Sequence, residues 1–219
     1  MRTPVLFIIC IGFFSTLLGQ EYEIGVSLGG TNYVGDIGRT NYIFPNKLAG
    51  NVFLKYNYNP RIALKATFSY LPIAGNDAEA DTDFRQNRGL RFSNTIKELA
   101  LGLEFNFYEY ELSSEDKSWT PYILAELAVF NYSVLKEETL ENKTAFAIPI
   151  GIGLKSKLFG NFAFSLDTKF RYTFKDDLDF VSENNLDYSI EGNSNDWYMF
   201  TGVSLMYTFG RPACYTKGL

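Results

Sequence analysis

Glu23, Lys55, Lys65, Glu98, Glu104, Glu126, Lys155, Asp167, Lys169 and Arg171 fall on the minority face of segments whose other face is apolar. A two-residue period brings such residues to one side of a sheet. Carboxylates and bases gathered there could form a charge-paired plug, a path for protons or ions, or an acid–base pair. Buried charges are costly unless paired, so the pattern predicts a salt-bridged plug, with a proton or ion path as the functional alternative.

Catalysis meets an obstacle in the composition, because the 219-residue chain contains no histidine. No Ser-His-Asp relay can be assembled without one, and the side chain that most often moves protons near neutral pH is missing. Glu98 and Glu104 share a face, but at the rise of a strand they stand about 20 Å apart. Metal chemistry lacks its usual nitrogen and sulfur ligands. Gly29-Gly30 and Gly151-Ile152-Gly153 do not match a phosphate-binding loop and fall within or at the ends of strands. No enzyme activity and no cofactor are expected.

The segments that carry the charges alternate strictly. Residues 21–30 put Tyr22, Ile24, Val26 and Leu28 on one side and Glu23, Gly25, Ser27 and Gly29 on the other. The same period recurs near 50–58, 62–71, 91–108, 121–133, 145–156, 162–174 and 197–209, which predicts eight strands. In the fifth, both faces are largely apolar, and the cost of placing Glu126 in lipid assigns that residue to the interior. Connectors near 31–49, 73–90, 134–144 and 175–196 are long or polar. Those near 58–61 and 157–161 are short, and that near 109–120 is intermediate. The last long connector carries Asp176, Asp177, Asp179, Glu183, Asp187, Glu191 and Asp196 against Lys175, and reads as a solvated loop, since no acidic spacing matches a calcium site.

Composition agrees with a membrane barrel. Aromatic residues make up 17% of the chain, with 15 Tyr and 20 Phe, the residues that form interfacial girdles. The net charge of −5 and the absence of a basic run argue against nucleic acid as a partner. Arg2 followed by the apolar run 5–14 and Leu17-Leu18-Gly19 read as a signal peptide over 1–19. Cys10 lies inside that run behind Ile9 and reads as a bystander. With the signal removed, Cys214 is the only cysteine, so no internal disulfide framework is available.

The expected architecture is therefore all-β, an eight-stranded antiparallel transmembrane barrel over 20–209, with a tail at 210–219. Outer-membrane barrels place long connectors outside and short ones in the periplasm. Both termini would then be periplasmic and outer-membrane lipid would cover the apolar face. Eight strands leave room only for side chains, so the barrel should be filled. A lipocalin-like barrel, apolar inside around a ligand, has the same periodicity with the faces exchanged; the Gly-, Ala- and Ser-rich minority face favours the membrane barrel.

Several stretches resemble a known family. Gly29-Gly30-Thr31-Asn32-Tyr33-Val34-Gly35-Asp36-Ile37-Gly38, within 23–38, precedes Phe44-Pro45-Asn46-Lys47. Arg88-Gly89-Leu90-Arg91-Phe92-Ser93-Asn94-Thr95-Ile96, Gly102-Leu103-Glu104-Phe105-Asn106-Phe107 and Thr120-Pro121-Tyr122 follow, and Tyr207-Thr208-Phe209-Gly210-Arg211 with Pro212 and Cys214-Tyr215 ends the chain. Together these are similar to the PorG-like outer-membrane proteins of the type IX secretion system. The resemblance implies a non-enzymatic accessory barrel that anchors the periplasmic lipoprotein ring to the outer membrane. The implied contacts are Arg211, Pro212, Cys214 and Tyr215 of the tail, with Asn59 and Arg61 of a short turn. An unpaired Cys214 in an oxidising compartment stays buried, is capped or joins a partner's thiol, so a disulfide to the ring lipoprotein and a free thiol both remain open.

Overall fold

The computed structural model describes residues 21–35, 37–39, 41, 43–110, 118–136, 139–175, 178 and 196–210. Eight strands appear in chain order: β1 Glu21–Val34, β2 Lys47–Asn59, β3 Ile62–Asn76, β4 Arg91–Asn106, β5 Trp119–Lys136, β6 Thr139–Phe159, β7 Phe162–Thr173 and β8 Trp197–Phe209. Each pairs antiparallel with its sequence neighbours, and β8 returns to β1 from Tyr22↔Phe209 to Val34↔Trp197, closing the barrel. Closure leaves no strand edge unpaired, the condition for a sheet to lie in hydrocarbon.

The facing follows the alternation. Leu28, Leu99, Leu101, Leu127, Ile152 and Val203 point outward and are more than half exposed, while Glu23, Glu98, Glu104, Lys155 and Arg171 are wholly buried. Glu126 is inside and Leu127 outside, as the lipid cost of the carboxylate dictates. This is the reverse of a lipocalin, whose apolar face lines the interior. Aromatic side chains encircle the outer surface at both ends. Tyr22 contacts Tyr56 and Phe209, and Tyr108 meets Trp119, at the end with short turns; Trp197 packs on Phe170 and Tyr172 at the other. An aliphatic band between two aromatic girdles is the exterior of a membrane barrel.

The two short turns are built by different residues. Between β2 and β3, the Asn59 Oδ1 accepts from the backbone N–H of Arg61 at 2.8 Å and of Ile62 at 2.7 Å, and the register shifts across Asn57 and Asn59. Between β6 and β7, Gly160 takes φ +53°, a conformation that disfavours other residues. Inside, small and large residues alternate to fill the taper. The Phe53 ring occupies the space where a Cβ on Gly25 would stand, and Tyr122 does the same at Gly153.

Strand limits depart from the sequence expectation mainly between β5 and β6. Residues 134–144, expected as an outer loop, are largely ladder, because pairing continues from Ala128↔Ala147 to Lys136↔Thr139. Periodicity weakens there because residues 141–144 of β6 are exposed on both faces, so neither face of that stretch needs apolar side chains. The connector expected at 31–49 shortens likewise, with β1 reaching Val34 and β2 starting at Lys47. The fourth strand ends at Asn106 rather than 108.

Candidate functional site

Among the described residues, five carboxylates (Glu23, Glu98, Glu104, Glu126, Asp167) and five bases (Lys55, Lys65, Lys155, Lys169, Arg171) are buried along the strand walls, and their formal charges balance. They fall into linked clusters. Nearest the short turns, Glu104 on β4 receives Lys155 from β6 at 2.6 Å and Lys55 from β2 at 2.9 Å, with Lys65 of β3 at 3.8 Å. Lys55 also reaches Glu23 of β1 at 3.9 Å, whose other oxygen accepts from Asn57. Further along, Glu126 on β5 accepts from Thr67 at 2.8 Å and from Lys169 of β7 at 3.2 Å. Asp167 accepts from Ser204 on β8, which exchanges a hydrogen bond with Ser27 on β1. Toward the long connectors, Glu98 on β4 takes Arg171 of β7 and the Tyr198 hydroxyl of β8.

Aromatic rings complete the lining. Lys65 lies 4.3 Å from the Phe53 centroid, and Lys155 stands 4.5 Å from that of Tyr110. Such contacts stabilise desolvated cations beyond their carboxylate partners. The arrangement suits mutual neutralisation rather than proton delivery, because each base serves a carboxylate or a ring.

Both ends of the charged zone are covered. Tyr110 folds into the mouth at the short-turn end, buried to 2% exposure, with its backbone N–H donating to the Pro60 carbonyl. At the other end Tyr33, Ile37, Ile73, Phe92, Tyr132 and Leu178 belong to one buried apolar cluster. Asp196 holds this cap, accepting from the Tyr33 hydroxyl and from the Leu178 backbone N–H at 3.0 Å. Asp196 is thus buried, not one of the solvated loop acids that its sequence context suggests. Asn94 ties the cap to the wall by donating to the carbonyls of Ser133 and Leu178.

A second latch joins the first two connectors at this end. Asp77 opens a 3-10 turn, Asp77–Glu79, ahead of α1, Asp83–Arg88. Its carboxylate accepts from Arg88 at 2.7 Å and from the N–H groups of Gly38 and Leu90 at 2.9 and 3.1 Å. Burial alone would raise its pKa, but the Arg88 guanidinium and these two amides outweigh that and hold it below the usual carboxylate range. Arg85 adds a bond to the Gly38 carbonyl.

The residues singled out as partner contacts fall differently. Asn59 is committed to its turn, and Arg61 donates to the Phe107 carbonyl at 2.8 Å and pairs with Glu109 at 3.3 Å, its side chain still 46% exposed. Arg211, Pro212, Cys214 and Tyr215 lie outside the described residues, as does the signal segment 1–19. Sequence reasoning missed Tyr110, Tyr198, Asp77 and Asp196 as structural groups. The only signal for Tyr198 is its place in the inward period of β8; Tyr110 and the two aspartates sit outside the strands, where no period assigns a face.

Two kinds of similarity accompany this geometry. The structure resembles Neisserial surface protein A (NspA), with 10% identity over 88% of this chain and 98% of that chain and a TM-score of 0.50. The N-terminal β-barrel domain of Pseudomonas aeruginosa OprF has 14% identity over 86% and 97% of the two chains, with a TM-score of 0.49. A major outer membrane protein from Thermus thermophilus has 14% identity over 87% and 99%, with a TM-score of 0.46. At 10% identity the likeness to NspA shows the fold alone, an eight-stranded barrel of the outer-membrane type. No curated protein matches the chain by sequence. The model of a domain of unknown function, DUF6089, matches residues 2–218, and the chain belongs to that family.

Proposed function

We propose that the chain is a non-enzymatic accessory barrel of the type IX secretion system, held in the bacterial outer membrane with its long connectors outside and both termini in the periplasm. The filled lumen carries the reading. With ten charges neutralising one another between two covered ends, the barrel acts through its surfaces rather than through a pore or a reaction centre. The apolar band and its two girdles support residence in lipid. The stretches similar to the PorG-like proteins support the role itself, which is to anchor the periplasmic lipoprotein ring to the membrane. On this reading the tail 210–219 faces the ring, and Cys214 is available to bond a thiol of the ring lipoprotein.

Affinity purification of the tagged barrel from mildly solubilised outer membranes tests the assignment. Recovery of a periplasmic ring lipoprotein is the expected outcome. A barrel that purifies without it contradicts the anchor role.

A further inference from the structure

One level of the lumen holds buried polar atoms that the charge network does not use. Arg171 gives only its Nε to Glu98, at 3.0 and 2.9 Å, and among the described residues neither Nη1 nor Nη2 has a hydrogen-bond partner. The same is true of the Ser69 hydroxyl and of both amide atoms of Asn51. Arg171 and Ser69 are 0% exposed and Asn51 is 6% exposed. The ladder brings these groups together. Asn51 of β2 stands directly opposite Ser69 of β3, and Ser69 directly opposite Glu98 of β4, the carboxylate that holds Arg171. Directly opposed side chains have Cβ atoms about 5 Å apart, so the two walls and the guanidinium share one level. Apolar side chains bracket it: Ala49, Leu71 and Ile96 are the next inward residues of β2, β3 and β4 toward the long connectors, and Phe53 and Ala100 are the next on β2 and β4 toward the short turns.

We infer that this level is a binding site for a cluster of ordered water molecules, held by the Nη groups of Arg171, the Asn51 amide and the Ser69 hydroxyl. A buried donor without an acceptor is costly, and buried waters satisfy such groups with about three hydrogen bonds each. The chemistry of the set selects water over an anion. Arg171 can only donate, whereas the Asn51 Oδ1 must accept, and water serves both where a halide could only accept. The Arg171 charge is already matched by Glu98, so a halide would add an uncompensated charge between apolar layers. The waters extend the Glu98–Arg171 pair to β2 and β3. Ser27 lies directly opposite Asn51 on its other side and exchanges a hydrogen bond of 2.7 Å with Ser204, which donates to Asp167 at 3.3 Å. The hydrated level therefore also adjoins the Asp167 group. This site is inside the barrel and independent of the anchor role, so the two readings fail separately.

The test is a crystal structure of the folded barrel, from crystals grown with bromide in place of chloride. Solvent peaks should stand about 2.7–3.2 Å from an Arg171 Nη and from the Asn51 amide or the Ser69 hydroxyl, and none should carry the anomalous signal of bromide. Asn51→Leu and Ser69→Ala are each expected to lose the peak that the replaced side chain holds and to keep those at Arg171. Either variant alone decides the point, and heat-dependent mobility on gels verifies that it is folded. Direct hydrogen bonds among Asn51, Ser69 and Arg171 with no solvent between them would overturn the site. So would an unchanged set of peaks in a folded variant, and a bromide peak at the guanidinium would make it an anion site instead.

Discussion

Arg171 on β7 donates its Nε to both carboxylate oxygens of Glu98 on β4, at 3.0 and 2.9 Å, with both side chains wholly buried. The two strands are three apart in the ladder, so the pair spans the lumen rather than joining neighbours. The Arg171 guanidinium carbon also lies 5.4 Å from the Tyr198 ring, whose hydroxyl donates to the same carboxylate. A single ion pair thereby fixes β4, β7 and β8 relative to one another.

Removing one partner of this pair should be far worse than removing both. Arg171→Leu leaves Glu98 as a buried charge with one hydroxyl donor, and a cost of about 3–5 kcal/mol is expected. Adding Glu98→Leu should recover most of it. Guanidinium unfolding in detergent, followed by the fluorescence of Trp119 and Trp197, reports both. A double variant as unstable as the single one would mean that the pair contributes through shape and not through charge compensation.

The two faces of β7 should respond in opposite ways to polarity. Leu166 is 52% exposed on the outward side and Ser165 is buried in the lumen. Leu166→Arg should cost about 2–4 kcal/mol if its position lies near mid-membrane, whereas Ser165→Ala should be mild. The same unfolding assay applies, and equal effects would show the facing to be inverted.

The Asp77 latch should open in acid. Its carboxyl is held below the usual carboxylate range in the folded chain, so its contribution is complete above the ordinary carboxylate pKa and is lost as pH falls through the lowered folded value. Cleavage within residues 77–90 by an acid-active protease should therefore rise as pH drops below about 4, with the barrel itself intact. Asp77→Asn should expose Arg85 and Arg88 to trypsin at neutral pH. Resistance of that variant equal to wild type would remove the latch from the account.

The strands were legible because hydrocarbon outside and a crowded lumen inside impose opposite demands on alternate residues. Glu126 alone was enough to orient β5, whose two faces otherwise look alike. Legibility failed where those demands stop. Beyond the apolar band, residues 141–144 of β6 are exposed on both faces and so read as loop. Asp77 and Asp196 are indistinguishable in sequence from solvated acids, since their partners Arg88, Gly38, Leu178 and Tyr33 are brought to them only by the closed fold. Asn59 and Arg61, expected as docking residues, also have structural tasks that only the fold reveals: Asn59 closes its own turn, and Arg61 reaches Phe107 and Glu109 beyond the end of β4.

The most direct test of the anchor role is truncation after Phe209. β8 ends at Phe209 and its pairing with β1 is complete without the tail, so the shortened chain should fold and show the heat-dependent gel mobility of a closed barrel. It should nevertheless fail to co-purify the periplasmic ring lipoprotein and should stop type IX secretion. In the full-length chain, Cys214→Ser should abolish any high-mass species seen on non-reducing gels. A folded truncation that retains the lipoprotein and secretes at the wild-type rate would contradict the central claim.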